Sequence, residues 1–100
     1  MLGPKLKPGV DVSGLRPEMV LAVLVARAYH PTGAITVTSV VDGKHKVGSK
    51  HYVGQAVDLR IFDISISQAR EWVEAIAISL GKQYDVILES DHVHIEFDPK

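Results

Sequence analysis

The chain has 100 residues, of which 46% are hydrophobic and 23% charged, so one globular domain spanning residues 1–100 is expected. Eleven basic and twelve acidic side chains give a formal net charge of -1, so we expect no nucleic acid among its partners. Cysteine is absent, which excludes disulfides and thiolate metal sites.

The first part of the chain predicts an irregular lead-in followed by a helix. Residues 1–14 contain two prolines and lack the apolar centre of a secretory signal. A helix is predicted for residues 17–29, because Pro17 suits a first helical turn and Glu18 complements the helix N-terminus. Its apolar residues occur on nearly all sides, so we expect it to lie deep in the fold. The longest apolar run, residues 19–26, is far shorter than the roughly 20 residues that span a membrane.

The middle of the chain predicts two strands. Residues 34–41 are rich in β-branched side chains, and the polar residues 42–52 that follow are expected to form a loop. From residue 55 to 62, apolar and polar residues alternate, as in a strand with one buried face. The core-facing positions are Val57, Leu59 and Ile61. Asp58 and Arg60 therefore point to the opposite face.

A second helix is predicted for residues 67–80. Either Ser65 or Ser67 suits its N-cap, and Gly81 suits its C-terminal end. Trp72 and Ile76 belong to an apolar stripe at helical spacing, which we interpret as part of the core.

The last part of the chain predicts a β-hairpin. Residues 84–89 and 92–97 have strand-like patterns and are separated by a tight turn at residues 90–91. In the second strand His92, His94 and Glu96 share the face opposite to the apolar residues. The order helix, strand, strand, helix, strand, strand predicts an α+β fold with a mainly antiparallel sheet packed with two helices.

Two polar clusters contain the residue types of a catalytic zinc site. One holds His51 and Asp58, and the other holds His92 and His94. Each residue taken alone is most simply a solvated surface residue. If the two strands are neighbours, however, the side chains converge, and imidazoles with a carboxylate are the ligands that a zinc site with an open position uses.

Two motifs also carry a resemblance to a known family. They are Ser49-x-His51-x-x-Gly54-x-Ala56-x-Asp58 and His92-x-His94. This pair resembles the signature of the LAS-type zinc peptidases, which include D-Ala-D-Ala carboxypeptidases, dipeptidases and phage endolysins that cut peptidoglycan stem peptides. It is also similar to the hedgehog signalling domain, where the likeness extends to Asp42-Gly43-Lys44-His45. The resemblance covers residues 34–98 and implies a hedgehog/D-Ala-D-Ala-peptidase-like fold.

The resemblance implies a role for each residue of the motifs. His51, Asp58 and His94 would bind Zn2+, and a water molecule would take the fourth position. An acidic residue three positions before the last histidine is the general base in these peptidases, which implies Asp91 here. Glu89 is the competing candidate for the base.

Four further residues are candidates for supporting roles. His92 would lie beside the metal and hydrogen-bond the substrate carbonyl or the tetrahedral intermediate, or be an exposed histidine without that role. Glu96 would orient an imidazole or be a solvated edge charge. His45 and Ser49 are candidates for binding substrate or supporting the site, since the Ser49 hydroxyl can bond the backbone or the Asp58 carboxylate.

The chain departs from the family at one position. Many of these peptidases carry an arginine in a Ser-Gly-Tyr-Arg-like element, and Ser39-Val40-Val41-Asp42 stands in that stretch here. Alternative sources of positive charge are Lys44, Lys46, Lys50 and Arg60. The choice of substrate therefore stays open at this point.

The resemblance implies a zinc metallopeptidase, either a carboxypeptidase or an endopeptidase, that hydrolyses peptidoglycan stem peptides by metal-activated water. The alternative is a non-catalytic, zinc-containing binding module of the hedgehog type. We expect a monomer with no membrane-spanning segment. Its location stays open at this point, and a phage- or prophage-encoded enzyme that acts on the cell wall is one interpretation.

Overall fold

The structure is a computed structural model that describes residues 3–40 and 55–99. Its elements, in chain order, are β1 (Lys5–Leu6), α1 (Pro17–Tyr29), β2 (Thr36–Ser39), β3 (Ala56–Arg60), α2 (Ile66–Leu80), β4 (Tyr84–Leu88) and β5 (His92–Phe97). Two helices and one five-stranded sheet make an α+β fold, which confirms the predicted class. Neither helix in the described residues is long and apolar enough to cross a membrane.

The sheet is mixed, with the strand order β1-β2-β3-β5-β4. β1 runs parallel to β2, whereas the other three pairings are antiparallel. Backbone hydrogen bonds from Lys5 to Ile35 (3.0 Å) and from Lys7 to Val37 (2.9 Å) hold β1 in place. The sheet is therefore not purely antiparallel, and part of the expected irregular lead-in forms an edge strand. Two residues are too few to show strand periodicity, so only tertiary pairing reveals β1.

Helix α1 has the predicted bounds but is less deeply buried than expected. Its buried residues, Met19, Ala22, Val23 and Ala26, follow one helical face. Apolar residues on the other side are exposed, including Leu21 and Leu24 at 52% each. The expectation of a deeply buried helix was wrong, because the sheet and α2 cover only one of its faces.

Helix α2 begins one residue earlier than predicted, and the structure identifies its cap. The Ser65 hydroxyl accepts the backbone N–H of Gln68 (3.1 Å), while the Gln68 side chain accepts the backbone N–H of Ser65 (2.9 Å). This capping box satisfies two donors that a helix N-terminus otherwise leaves unpaired. At the other end, Gly81 has a positive φ of 83°, which glycine adopts without steric cost.

Both helices pack against the same face of the sheet and form the core with it. Trp72 of α2 donates its indole N–H to the Ala26 carbonyl of α1 at 2.8 Å, and Tyr84 of β4 donates to the Glu18 carbonyl at 2.9 Å. The sheet contributes fully buried residues to this core: Val57, Leu59, Val93 and Ile95. The polar residues that alternate with them are thereby directed to the other face of the sheet.

Candidate metal centre

The polar face of the sheet is assembled where β3 and β5 pair. In this antiparallel register Asp58 lies opposite His94, and Arg60 lies opposite His92. Glu96 follows His94 on the same face, because side chains two residues apart in a strand point the same way. The two strands that carry the candidate ligands are therefore neighbours, as the predicted site requires.

Asp58, His94 and Glu96 form a continuous polar chain across this face. His94 Nδ1 lies 3.0 Å from Asp58 Oδ1, and its Nε2 lies 2.9 Å from Glu96 Oε1. The pKa of His94 is raised, mainly by its hydrogen bond to Asp58. Burial lowers this pKa, and the hydrogen bond to Glu96 raises it further. Asp58 itself is only 9% exposed. The simplest interpretation from sequence, a solvated surface carboxylate, is therefore wrong for this residue.

His92 connects two carboxylates of the same region. Its Nδ1 lies 2.5 Å from Asp91 Oδ1, and its Nε2 lies 3.6 Å from Asp58 Oδ1. Asp91 lies in the turn between β4 and β5, and its side chain is 83% exposed. The imidazole ring of His92 therefore stands between Asp91 and the buried Asp58, with its orientation set by Asp91.

The distances between these donor atoms can be compared with those between the ligand atoms of a tetrahedral zinc ion. Tetrahedral zinc with bonds of about 2.0–2.1 Å separates neighbouring donor atoms by about 3.3 Å. The Asp58 carboxylate lies 3.0 Å from the nearest nitrogen of His94 and 3.6 Å from that of His92. The donor types and the separation of Asp58 and His94 fit zinc, with Glu96 on the second nitrogen of His94 as an orienting partner.

A second group of possible metal ligands lies on the same sheet. Carboxylate oxygens of Asp85, Glu96 and Asp98 lie within 4.8 Å of one another and could hold a metal ion. Within residues 3–40 and 55–99 this is the one set of three donors that meets that distance, so Asp58, His92 and His94 do not form such a set together. An all-oxygen group suits a hard cation such as Ca2+ or Mg2+ better than zinc.

Three of the predicted site residues lie outside the described residues. They are His45, Ser49 and His51. The other six are described, and Asp58, His92, His94 and Glu96 come together on one face of the sheet. Asp91 joins them through His92, whereas Glu89 has an exposed side chain and meets His92 through a backbone hydrogen bond of 2.8 Å.

Sequence reasoning missed Asp85 and Asp98, although a signal for Asp85 was present. A tight turn at residues 90–91 makes Glu89 and His92 the closing pair of the hairpin. Counting back from that pair sets Asp85 opposite Glu96, which is the register the structure has. Asp98 lies beyond the end of β5, where alternation no longer applies.

Comparison with known proteins assigns no family to the chain. No protein-family model matches it, and no curated protein matches it. The functional conclusion therefore depends on the residues and on their geometry.

Proposed function

We propose that the protein is a zinc-dependent peptidase that hydrolyses a peptide bond in peptidoglycan stem peptides. The observation that carries the proposal is the buried Asp58 carboxylate lying 3.0 Å from Nδ1 of His94 on the paired strand. A carboxylate and an imidazole at this separation match two neighbouring ligands of one zinc ion. The resemblance of the two motifs to the LAS-type peptidases implies that His51 is the third ligand and that the fold is hedgehog/D-Ala-D-Ala-peptidase-like.

His94 is well suited to be a metal ligand because its second nitrogen already has a partner. When Nδ1 binds metal, the proton of a neutral imidazole resides on Nε2, which lies 2.9 Å from Glu96 Oε1. Glu96 then accepts that proton in a hydrogen bond and fixes the ring orientation. A zinc ion held by Asp58 and His94 would supply Lewis acidity towards a carbonyl oxygen and towards water.

The proton transfers of peptide hydrolysis are assigned to the chain's own carboxylates. We propose Asp91 as the general base that takes a proton from the attacking water and returns it to the leaving amine. Its exposed position in the turn before β5 leaves it accessible to substrate and solvent. Glu89, the competing candidate, is also exposed and lies on the other side of the same turn.

His92 is proposed to donate a hydrogen bond from Nε2 to the substrate carbonyl as negative charge develops on its oxygen, in the form of the ring that carries a proton on both nitrogens. The contact with Asp91 Oδ1 at 2.5 Å holds the Nδ1 side of the ring, so the Nε2 side faces the region of Asp58. This arrangement orients the imidazole before substrate arrives, which is what electrostatic stabilisation of a transition state requires.

The experiment that tests the proposal is digestion of purified peptidoglycan by the zinc-loaded protein, followed by mass spectrometry of the released fragments. We expect stem-peptide fragments from the wild type and none after chelation. The variant Asp91→Asn should keep its zinc and lose hydrolysis, while Glu71→Gln on the exposed side of α2 should behave as wild type.

One result would contradict the peptidase itself, and another would contradict only the assignment of its general base. A wild-type protein that binds zinc but releases no fragment is instead a non-catalytic zinc-containing binding module. If Glu89→Gln alone abolishes hydrolysis and Asp91→Asn does not, then the peptidase stands but Glu89 is the base.

A further inference from the structure

The outer side of α1 is apolar and exposed, although its inner side already packs on the sheet and on α2. Glu18 and Arg27 are the two charged residues among the thirteen of this helix. Val20, Leu21 and Leu24 lie on the outer side and are exposed. A helix that is hydrophobic on all sides is normally covered on all sides. The outer side of α1 therefore has the composition of a buried surface.

An apolar groove lies beside α1 and extends the same surface. It runs between the helix and the first residues of the chain, has a volume of about 280 Å³, and every residue that lines it is apolar. Leu6 and Val12 line it from the segment before the helix, and Val20 and Leu24 line it from the helix itself. Leu21 adjoins Leu24 one helical turn away. These five exposed residues form one continuous surface, which we call the α1 patch.

The α1 patch supplies most of the apolar area that one side of a dimer interface needs. Its five residues are between 42% and 52% exposed. Together they expose on the order of 400 Å², which is within the 300–600 Å² of the largest and often functional patch on a monomeric protein. A standard interface buries about 800 Å² of each partner, of which about 56–65% is apolar. The patch is therefore large enough to be the centre of such an interface.

The spacing of residues in α1 suits pairing with a second copy of the same helix. Leu21 and Leu24 lie three residues apart on the outer side. Pro17 and Ala28 continue this line at intervals of four residues in either direction, which is the spacing of a coiled-coil seam. In an antiparallel pair with its two-fold axis between positions 22 and 23, each Leu21 lies next to the Leu24 of the second copy. Such a self-complementary contact with two-fold symmetry is the commonest type in soluble oligomers.

The charges near the patch favour a second copy over a membrane surface. Helices that lie on anionic membranes carry a face rich in lysine and arginine, with Trp, Phe or Leu on the other face. By contrast, α1 has one acidic and one basic residue and contains neither Trp nor Phe. Leu6 is the register partner of Val37 on the helix side of the sheet, so Lys5 and Lys7 point to the opposite face. A neutral apolar surface of this kind suits a partner that is itself neutral and apolar.

We propose that two copies of the chain form a dimer through the α1 patch, with their α1 helices antiparallel. This inference is independent of the proposed peptidase function, and it replaces the monomer expected from sequence. The candidate metal centre lies on the opposite face of the sheet, so it stays open in both copies of the dimer.

Analytical ultracentrifugation of the whole chain over a range of concentrations tests the proposal. The chain of 10.9 kDa should sediment as a species of twice that mass at roughly 100 μM, because interfaces of standard size have dissociation constants from micromolar to picomolar. Leu24→Lys places charges at the centre of the pair and should raise the dissociation constant at least about 100-fold. The matched control Ile78→Lys, at an exposed position of α2 outside the patch, should dimerise as the wild type does.

A pair of opposite charges tests the antiparallel arrangement. Leu21→Glu and Leu24→Lys should each weaken the dimer alone. The double variant should recover much of the affinity, because each glutamate then lies next to a lysine of the second copy. Both positions are exposed in the single chain, so circular dichroism melting curves should show that all variants are folded.

Three results would overturn the proposal or part of it. A wild type that stays monomeric at roughly 100 μM overturns the dimer. If that monomer binds vesicles of phosphatidylcholine and phosphatidylglycerol through Leu24, the patch is a membrane contact instead. A dimer that Ile78→Lys dissociates and Leu24→Lys does not is formed through α2, which overturns the role of the patch. A double variant that is no better than the single ones overturns the antiparallel pairing.

Discussion

The carboxylate of Asp58 lies 3.0 Å from Nδ1 of His94 because the two residues are direct partners in the antiparallel pairing of β3 and β5. Thirty-six positions separate them in the chain, so this contact depends on the register of the sheet. A shift of one residue in either strand would turn the side chain towards the helices. The hydrophobic pattern that buries Val57 and Ile95 thus also brings this candidate ligand pair together.

Replacing Asp58 tests which of the two possible metal sites binds zinc. Asp58→Asn preserves the shape of the side chain and removes its charge, so the zinc content should fall from about one ion per chain to nearly none. The matched change Asp85→Asn, in the acidic group with Glu96 and Asp98, should leave zinc content unchanged. Metal analysis after dialysis against micromolar zinc measures both. The opposite pattern would assign the metal to the acidic group.

Glu96 should affect how tightly zinc binds rather than whether it binds. Glu96 accepts a hydrogen bond from Nε2 of His94, and the loss of such an orienting partner typically weakens metal binding by about 10- to 100-fold. Glu96→Ala should therefore raise the dissociation constant for zinc by that factor, and Glu96→Gln should raise it less. Competition with a chromophoric chelator gives the constants.

The control for Glu96 is Asp98→Asn. Asp98 shares the acidic group with Glu96, but Glu96 is the residue whose carboxylate bonds His94. If Asp98→Asn weakens zinc binding as much as Glu96→Ala does, the effect comes from the acidic group and not from the orientation of His94.

The elements were largely predictable from sequence, because alternation and helical spacing are local signals. They identified α1 with its observed bounds and showed that Asp58 and His94 lie on the polar faces of their strands. The sequence did not predict that β3 pairs with β5, because periodicity shows which face of a strand is buried but not which strand lies beside it. The strand β1 and the exposed side of α1 depend on tertiary packing, which no local pattern encodes.

The stacking of Arg60 on Phe62 is another contact in the candidate site that local sequence patterns do not predict. Alternation assigns Arg60 to the face of Asp58, and the sequence makes it one of several available cations. Its contact with Phe62 depends on how the chain turns after β3, where the alternating pattern ends. Sequence patterns therefore identified the candidate residue but not the contact that orients it.

The cap of α2 provides a test of local stability. Ser65→Ala removes the acceptor for the Gln68 N–H, so the free energy of unfolding should fall by about 1 kcal/mol. Ser67, the alternative cap considered from sequence, is exposed within the first turn, and Ser67→Ala should change stability by less than about 0.5 kcal/mol. Urea unfolding followed by circular dichroism measures both. Equal effects of the two substitutions would mean that the capping box does not stabilise the helix.

His30 should make the protein less stable in mild acid. The residue is 7% exposed, its ring lies 4.7 Å from the Trp72 ring, and its Nδ1 accepts the Thr32 N–H at 3.1 Å. Burial lowers the pKa of His30 below its ordinary value of 6.5, and this outweighs the opposing charge of Asp63. Below pH 6.5 the unfolded chain therefore binds more protons at this position than the folded chain, so stability falls as pH falls.

The pH effect of His30 can be isolated with His30→Asn, measured in the presence of a chelator. Asparagine can still accept a hydrogen bond near the end of α1 but does not titrate. His94 contributes in the opposite direction, because its raised pKa gives stability that is complete below pH 6.5 and is lost as pH rises through the folded pKa. That contribution is present in both proteins and cancels when they are compared. The stability advantage of the wild type over His30→Asn should therefore shrink as the pH falls from 7.5 to 5 in urea unfolding, and an advantage that stays constant would show that His30 does not titrate differently on folding.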